Sequence, residues 1–218
     1  ASVTTQYPVG IDLQGWRGAS GVGGTFRTNN GDIQIVARSS GATSSGVGLS
    51  ALAQDTDKRL VLAATGTGSI TIDGKATGTS PTDMAFSSVD ILAASGAIHL
   101  VGENTGVNFG SWPSAATNYL GSHSGSLVAA SSSDVYLTGN KLDFASPAAA
   151  NTTGHVYVEP FGNSFTNVQT FPSNFTVGSS ATGLTIGKLG NTQGITLTGT
   201  YTVAGPIDIY GGALAVNG

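Results

Sequence analysis

The feature of this sequence that most restricts its fold is a short unit, repeated along most of the chain, in which apolar and polar residues alternate. Clear copies are GDIQIVA at 31–37, GSITIDG at 68–74, GAIHLVG at 96–102 and GITLTG at 194–199. Alternation with a period of two is typical of a β-strand with one buried face. No segment with a helical period lies between the units. The sequence therefore predicts an all-β protein without crossover helices.

Composition supports this class. The 218 residues include 33 glycines, one methionine and only 12 Asp and Glu, so residues that favour helices are scarce and turn residues are frequent. Glycine and asparagine at the ends of the units permit the positive φ angles of tight corners. The chain is thus built from short strands that are separated by sharp turns.

The spacing of the apolar residues indicates how the strands are arranged. Val156, Phe175, Ile195 and Leu214 follow one another at nearly equal steps, and an earlier series has similar steps. That series is Ile33, Leu52, Ile70, Val89, Val107 and Leu127. A fixed period with two or three strands inside it is typical of a parallel β-solenoid, in which each coil stacks on the next. We therefore predict a parallel β-helix with coils of about 19 residues.

Three segments interrupt the regular spacing of the apolar residues. We predict an irregular N-terminal segment or cap over 1–30 and a parallel β-helix over 31–218, with insertions near 103–123 and 146–174. The first insertion contains Trp112 and Tyr119, and the second contains three prolines and three phenylalanines. Loops on a rigid scaffold often carry function, so these insertions are where contacts are expected.

Charge and motifs exclude several classes of protein. The net charge is −4 without a cationic cluster, which argues against nucleic-acid binding. No apolar run is long enough to span a bilayer, so membrane insertion is not predicted. The chain has no cysteine and no phosphate-, dinucleotide- or calcium-binding motif. We therefore predict no cofactor and no metal site.

The Gly-closed units, above all GLTIGKLGNTQGITLTGTYTVAGPIDIYGGALAVNG at 183–218, resemble the filamentous-haemagglutinin-like adhesins of Gram-negative bacteria. That family consists of large secreted proteins exported by two-partner systems or autotransport. The resemblance implies a right-handed parallel β-helix that acts as a stalk or adhesin on the cell surface. The short Asn-rich signature of the family's secretion domain, such as NPNG, is absent. The resemblance thus implies an internal or distal segment.

Aromatic rings in the first insertion are the candidate ligand contacts. Trp112 and Tyr119 could cover the apolar faces of a sugar, although Trp112 is more often expected to cap the core. Catalytic residues are not predicted. The pairs Asp55/Asp57 and Asp73/Asp90 are the only acids close enough to consider for a glycosidic enzyme.

The remaining polar signals favour an ordinary surface. His99 and His155 fall at outward strand positions, and His123 lies in GSHSG, which is not a hydrolase elbow. Asn151 and Asn174 begin N-x-[ST] triplets, which arise by chance in a chain rich in Ser, Thr and Asn. Short Thr runs are too irregular for an ice-binding array.

We therefore predict a non-catalytic stalk or adhesin segment, secreted or displayed at the bacterial cell surface. Its partners would be glycans or proteins of a host or bacterial surface. One alternative is a structural fibre subunit that self-associates end to end through unpaired strand edges. A polysaccharide-degrading β-helix enzyme is the less favoured alternative.

Overall fold

A computed structural model describes residues 9–15, 24–40, 46–53, 59–78, 80–110 and 116–217. Regular structure in these ranges consists of β-strands, which confirms the predicted all-β class. The strands are β1 (Val9–Gly15), β2 (Thr25–Thr28), β3 (Ile33–Ser40), β4 (Val47–Ala53), β5 (Leu60–Ala64), β6 (Ile70–Thr77), β7 (Thr82–Ser87), β8 (Val89–Ala93), β9 (Ile98–Phe109), β10 (Asn118–Gly121), β11 (Val135–Asp143), β12 (Ala148–Asn151), β13 (His155–Glu159), β14 (Gln169–Phe171), β15 (Phe175–Val177), β16 (Gly183–Ile186), β17 (Ile195–Leu197), β18 (Ile207–Ile209) and β19 (Leu214–Val216).

All strand pairs described are parallel, and they form sheets of ten, six and three strands. The ten-stranded sheet covers two faces of the molecule because β9 and β11 bend. Residues 98–102 of β9 pair with β6, whereas residues 107–109 pair with β7. Parallel strands need a return connection, and here the strands of the other faces supply it.

Three faces result. The first face contains β3, β6, residues 98–102 of β9, residues 135–139 of β11, β13, β16 and β18. The second contains β1, β4, β7, the later parts of β9 and β11, and then the separate sheet of β14, β17 and β19. The third contains β2, β5, β8, β10, β12 and β15. Successive strands visit the faces in turn, a topology consistent with a β-solenoid.

The predicted coil length is not confirmed. On the first face, the residues that stack in register are Ile33, Ile70, Ile98, Val135, Val156, Leu184 and Ile207. The interval from Ile33 to Ile70 is much longer than that from Val135 to Val156. The stack therefore repeats at unequal intervals that are mostly longer than predicted.

The cause of this difference is that the evenly spaced anchors lie on different faces. Val156 belongs to the first face, Phe175 to the third and Ile195 to the second. Each step from one of these anchors to the next covers two strands, whereas one full coil with a strand on every face contains three. Ile195 and Leu214 are an exception, because they are direct register partners with only β18 between their strands.

The core is one continuous cluster of inward side chains between the faces. Aliphatic residues of the first face, such as Ile72, Leu100 and Leu137, are fully buried. Phenylalanines stack on one another along the molecule, with ring centroids 5.7 Å apart for Phe86 and Phe109 and 5.5 Å apart for Phe109 and Phe144. Stacking coils thus bury the apolar side that a single coil would leave exposed.

A buried carboxylate stabilises the bend of β9. Asp83 is completely buried, and its Oδ1 accepts a hydrogen bond from the Ala76 amide at 2.8 Å. Its Oδ2 accepts bonds from the amides of Asn104, Thr105 and Gly106 at 2.8, 2.5 and 2.7 Å. Gly106 has a φ of +133°, and a Cβ there would collide with a backbone carbonyl of β11. Only glycine fits this corner.

The second face has a break between β11 and β14. Instead of strand pairing, the buried Gln169 side chain accepts a bond from the Leu142 amide at 3.0 Å and donates to the Leu142 carbonyl at 2.6 Å. An open cleft of about 320 Å³ lies along this break, lined by residues of 140–145 and 167–172. The side-chain amide therefore substitutes for a missing peptide group.

The segments predicted to be irregular contain strands. β1 and β2 lie within 1–30, the end of β9 and all of β10 lie within 103–123, and β12, β13 and β14 lie within 146–174. The strands of these segments belong to the same three sheets as the rest of the chain. The division of the chain at residue 31 stays a prediction.

Candidate functional site

A straight row of polar and aromatic side chains crosses the outer surface of the first face. Its members are register partners on neighbouring strands: Gln34, Thr71, His99, Tyr136, Tyr157, Thr185 and Asp208. Each alternates with apolar residues of the core on its own strand, so it points away from the core. Neighbouring strands are about 4.8 Å apart, which gives the row a regular spacing.

Three neighbouring rings of this row, His99, Tyr136 and Tyr157, form a stack, and His155 on the same strand as Tyr157 adds a fourth ring; we call these four rings the aromatic row. The centroids of His99 and Tyr136 are 4.5 Å apart, and those of Tyr136 and Tyr157 are 4.6 Å apart with planes only 4° from parallel. His155 stacks on Tyr157 at 4.2 Å. The rings are half-buried, so their outer edges reach solvent.

The environment of the aromatic row determines its protonation. Burial, and then the nearby carboxylates of Asp134 and Glu159, raises the pKa of both Tyr136 and Tyr157. Burial lowers the pKa of His99, and Asp134 offsets part of this effect. At neutral pH the two phenols are therefore protonated and can donate hydrogen bonds, and His99 is neutral.

The charged groups around the row are unevenly distributed. Asp134 immediately precedes β11, and Glu159 is the last residue of β13, so each lies close to one of the two tyrosines. Lys188, two residues after β16, donates to the Phe161 carbonyl at 3.5 Å. Arg38 and Lys75 on this face are engaged with carboxylates further along it. Arg38 contacts Asp73 and Glu103 at 2.7 Å, and Lys75 contacts Glu103 at 3.0 Å. The part of the surface next to the tyrosines is thus acidic.

Tyr119, one of the two predicted ligand contacts, lies in a different cluster on the third face. Its ring stacks on His123 with centroids 3.9 Å apart, and the Arg59 guanidinium carbon lies 5.0 Å from its centroid. Much of the ring surface is therefore already covered by protein. Trp112, the other predicted contact, lies outside the described residues.

Asp90 holds this cluster together. The buried carboxylate accepts a hydrogen bond from Arg59 Nε at 2.6 Å and contacts His123 Nδ1 at 3.0 Å. Arg59 also donates to the carbonyls of Val89 and Thr117 at 3.1 and 2.5 Å. A carboxylate on Nδ1 orients an imidazole, as in catalytic dyads. The nearby Ser126 hydroxyl, however, donates to the His123 carbonyl at 2.7 Å and so is not activated by the ring.

The carboxylates considered for catalysis are not brought together. Asp73 lies on β6 of the first face, whereas Asp90 lies on β8 of the third face. Each forms a salt bridge with a different arginine. Glycosidic hydrolysis needs two carboxyl groups on either side of one bond, and this pair cannot supply them. Asp55 and Asp57 lie outside the described residues.

Metal ligation and a membrane-spanning helix have no support in the part of the chain that the structure describes. No group of three or more His, Asp and Glu residues there is arranged to hold a metal ion. The same residues include no helix with the length and apolar character needed to cross a membrane. The amides of Asn151 and Asn174 donate to backbone carbonyls at 3.3 Å, contacts that glycosylation of either nitrogen would alter.

Sequence reasoning placed His99 and His155 at outward strand positions but did not predict that they stack with Tyr136 and Tyr157. The signal was present in the units themselves, because Ile-His-Leu, Val-Tyr-Leu and Val-Tyr-Val occupy the same position in GAIHLVG, SDVYLTG and GHVYVEP. Aligning the units by their apolar residues would have predicted the row.

Comparison with protein families, with curated proteins and with solved structures finds no match to this chain. The resemblance to filamentous-haemagglutinin-like adhesins therefore stays a prediction.

Proposed function

We propose that this chain is a non-catalytic segment of a large secreted bacterial protein, a surface stalk and adhesin that attaches to extracellular polysaccharide or to cells. The observation that carries the proposal is the aromatic row, an ordered set of ring edges and hydroxyl groups that faces solvent on a sheet of parallel strands. In this proposal the strands wind as a right-handed solenoid, the sense that parallel crossovers favour.

The architecture suits a stalk. Most inner strands have a hydrogen-bonded neighbour on both sides, Gln169 bridges the break between β11 and β14, and one core cluster runs through the described faces. Bending such a rod would break backbone ladders and apolar contacts together, which makes it stiff. Its strands are also poor protease substrates, because a protease needs an extended segment free of other pairing.

The aromatic row suits a linear glycan. Tyr136 and Tyr157 combine an apolar ring with a hydroxyl group, which lets them meet both the C–H and the O–H groups of a sugar. Thr71 and Thr185 extend the row on either side with further hydroxyl groups. Because the row is straight and its side chains are fixed by packing, little conformational entropy is lost on binding.

A binding experiment tests the proposal. The purified chain should bind a subset of polysaccharides on a glycan array. Replacing Tyr136 and Tyr157 together by alanine should weaken that binding at least about tenfold, since buried aromatic contacts dominate such surfaces. Tyr210→Ala is the matched control, because Tyr210 is an exposed tyrosine outside the row. Full binding by the double variant would contradict the assignment of the site.

Trp112 and Tyr119 are a second proposed contact, tested by Trp112→Ala and Tyr119→Ala in the same assay. If the ligand lies on the third face, one of these variants loses binding and the Tyr136 and Tyr157 variant keeps it. Ring faces are covered by neighbours in both places, and we expect the aromatic row to contribute more because it presents two tyrosine hydroxyls side by side.

A structural fibre subunit is a second proposed function, for which β18 and β19 of the purified 218-residue chain offer strand edges. β18 and β19 each pair on one side with a strand of the preceding turn. Their residues Ile207, Leu214 and Val216 are exposed apolar side chains. Such edges can pair with another copy of the chain. A polysaccharide-degrading enzyme is less favoured, because Asp73 and Asp90 lie on separate faces.

A further inference from the structure

We propose that the aromatic row selects polysaccharides that carry free amino groups, such as polymers of glucosamine, over neutral and acidic polysaccharides. This inference rests on the proposed function, in which the row binds a glycan. It adds the chemical class of the ligand, and it identifies Asp134 and Glu159 as the residues that determine that class.

The first support is the position of two carboxylates beside the tyrosines. Asp134 lies two positions before Tyr136, and its carbonyl already accepts the Ile98 amide of the neighbouring strand. Glu159 lies two positions after Tyr157 on β13. Side chains two positions apart in extended chain project from the same face. Beyond the effect of burial, both carboxylates also raise the pKa of Tyr136 and of Tyr157, as acidic neighbours do.

These carboxylates retain the capacity to bind a ligand. Asp134 Oδ1 accepts a bond from the His155 amide at 2.8 Å, which fixes its orientation. An ionised carboxylate has about four acceptor positions, so this bond leaves most of them available for a ligand. Both side chains are half-buried, and an ammonium group that meets them there would be attracted more strongly than in bulk water.

The second support is that the nearby lysine and arginine side chains are already engaged, with Lys188 donating to the Phe161 carbonyl at 3.5 Å. Arg38 and Lys75 on the same face are paired with Asp73 and Glu103. His99 is neutral at neutral pH because burial lowers its pKa. The whole chain also has a net charge of −4, which repels anionic polymers at long range.

The phenol groups supply a second contact for an amino sugar. The faces of the Tyr136 and Tyr157 rings are covered by their stacked neighbours, so these residues present ring edges and hydroxyl groups to solvent. An amino sugar can place its ammonium group against a carboxylate while its hydroxyl groups meet the phenols. A neutral N-acetylated sugar keeps only the contacts with the phenols.

The test compares four probes by calorimetry at neutral pH, where His99 is uncharged and part of the sugar amine population is protonated. They are a β-1,4-linked glucosamine hexamer, its fully N-acetylated form, a galacturonate oligomer of the same length and a hexalysine peptide. The glucosamine hexamer should bind at least about tenfold more tightly than the acetylated form, and the galacturonate should not bind. The advantage should shrink as salt is added, because exposed charges are screened.

Variants of the two acids make the test specific. Glu159→Gln and Asp134→Asn should remove the preference for the amine while the acetylated hexamer binds as before. Asp143→Asn removes the same charge elsewhere, from an exposed side chain near Lys141, and should leave the preference intact. Retained preference in the Glu159→Gln and Asp134→Asn double variant would overturn the proposal.

The outcomes also separate this inference from the proposed function. Equal binding of the two hexamers, or stronger binding of galacturonate, would overturn the inference and leave the polysaccharide adhesin in place. Hexalysine binding as tight as that of the glucosamine hexamer would overturn the choice of a glycan over a basic peptide. Binding of no saccharide at all, on this panel and on the glycan array, would overturn both.

Discussion

Ser88 occupies an unusual backbone conformation for its residue type. It connects β7 to β8, is completely buried and has a φ of +57°, a region that L-residues with a Cβ avoid at a cost of about 1–2 kcal/mol. Its buried hydroxyl group has no hydrogen-bond partner among the described residues. The corner between the second and third faces therefore stores local strain.

Replacing Ser88 by glycine should stabilise the protein. Glycine adopts positive φ freely and removes the unpaired hydroxyl group, so we expect the free energy of unfolding in urea to rise by about 1 kcal/mol. Ser88→Ala is the matched variant, since it removes the hydroxyl group and keeps the Cβ. It should gain less than Ser88→Gly. Equal gains would mean that backbone strain contributes nothing.

Tyr201 gives the fold a dependence on alkaline pH. Burial raises its pKa to about 12, and its hydroxyl group donates to the Pro172 carbonyl at 3.1 Å. Because the folded pKa lies above the ordinary value of about 10, the stabilisation is complete below pH 10 and is lost as the pH rises towards 12.

The expected result is a stability difference between the native chain and Tyr201→Phe that declines over this pH window. Below pH 10 the native chain should be more stable by about 0.5–1.5 kcal/mol, the usual contribution of one hydrogen bond. Urea denaturation of the native chain and of Tyr201→Phe at a series of pH values measures this difference. Tyr136 and Tyr157 also have raised pKa values, but both proteins contain them, so their effect on stability cancels in the difference. A difference that stays constant up to pH 12 would contradict the assignment.

At the scale of elements, the break between β11 and β14 depends on one side chain. Gln169 satisfies both the amide and the carbonyl of Leu142 on the side where β11 has no paired strand. The side chain is buried, so water cannot easily replace it. One amide group therefore connects the ten-stranded and three-stranded sheets.

Replacing Gln169 by methionine tests this role. Methionine has a similar shape but cannot form either hydrogen bond. We expect a loss of about 2–4 kcal/mol in the free energy of unfolding, because each unpaired buried group costs roughly 1–3 kcal/mol. Gln34→Met, at an exposed strand position, is the control and should change stability little. A near-neutral Gln169→Met variant would show that the bridge is dispensable.

For the whole molecule, the exposed apolar strands at the C-terminal end predict self-association. Leu214 is 55% exposed and Val216 is 66% exposed, and both lie on the edge strand β19. We expect the chain to form dimers or longer assemblies at high concentration, as seen by light scattering. Val216→Lys should suppress them, because charged residues on a strand edge oppose pairing.

Monomeric behaviour at every concentration would contradict this end-to-end contact. Association that persists in Val216→Lys would place the contact on another surface. Either result leaves the glycan assay unaffected, because the aromatic row lies on the first face, away from β19.

The sequence was sufficient for the class of fold. The alternation in units such as GSITIDG predicted strands with Ile70 and Ile72 inside and Thr71 outside, as the structure has them. The sequence did not determine how many residues form one coil. The turns between strands have very different lengths, so even spacing along the chain does not identify which strands are neighbours.

What the sequence alone determined is which side of each strand is apolar, because a strand's period of two is local and needs no partner. Only the tertiary structure decided which strands stack. That choice depends on how loops of unequal length close around a shared core. It brings His99, Tyr136 and Tyr157 into one row although they are distant in the sequence. It places Asp73 and Asp90 on separate faces although they are closer in the sequence than any two of those rings.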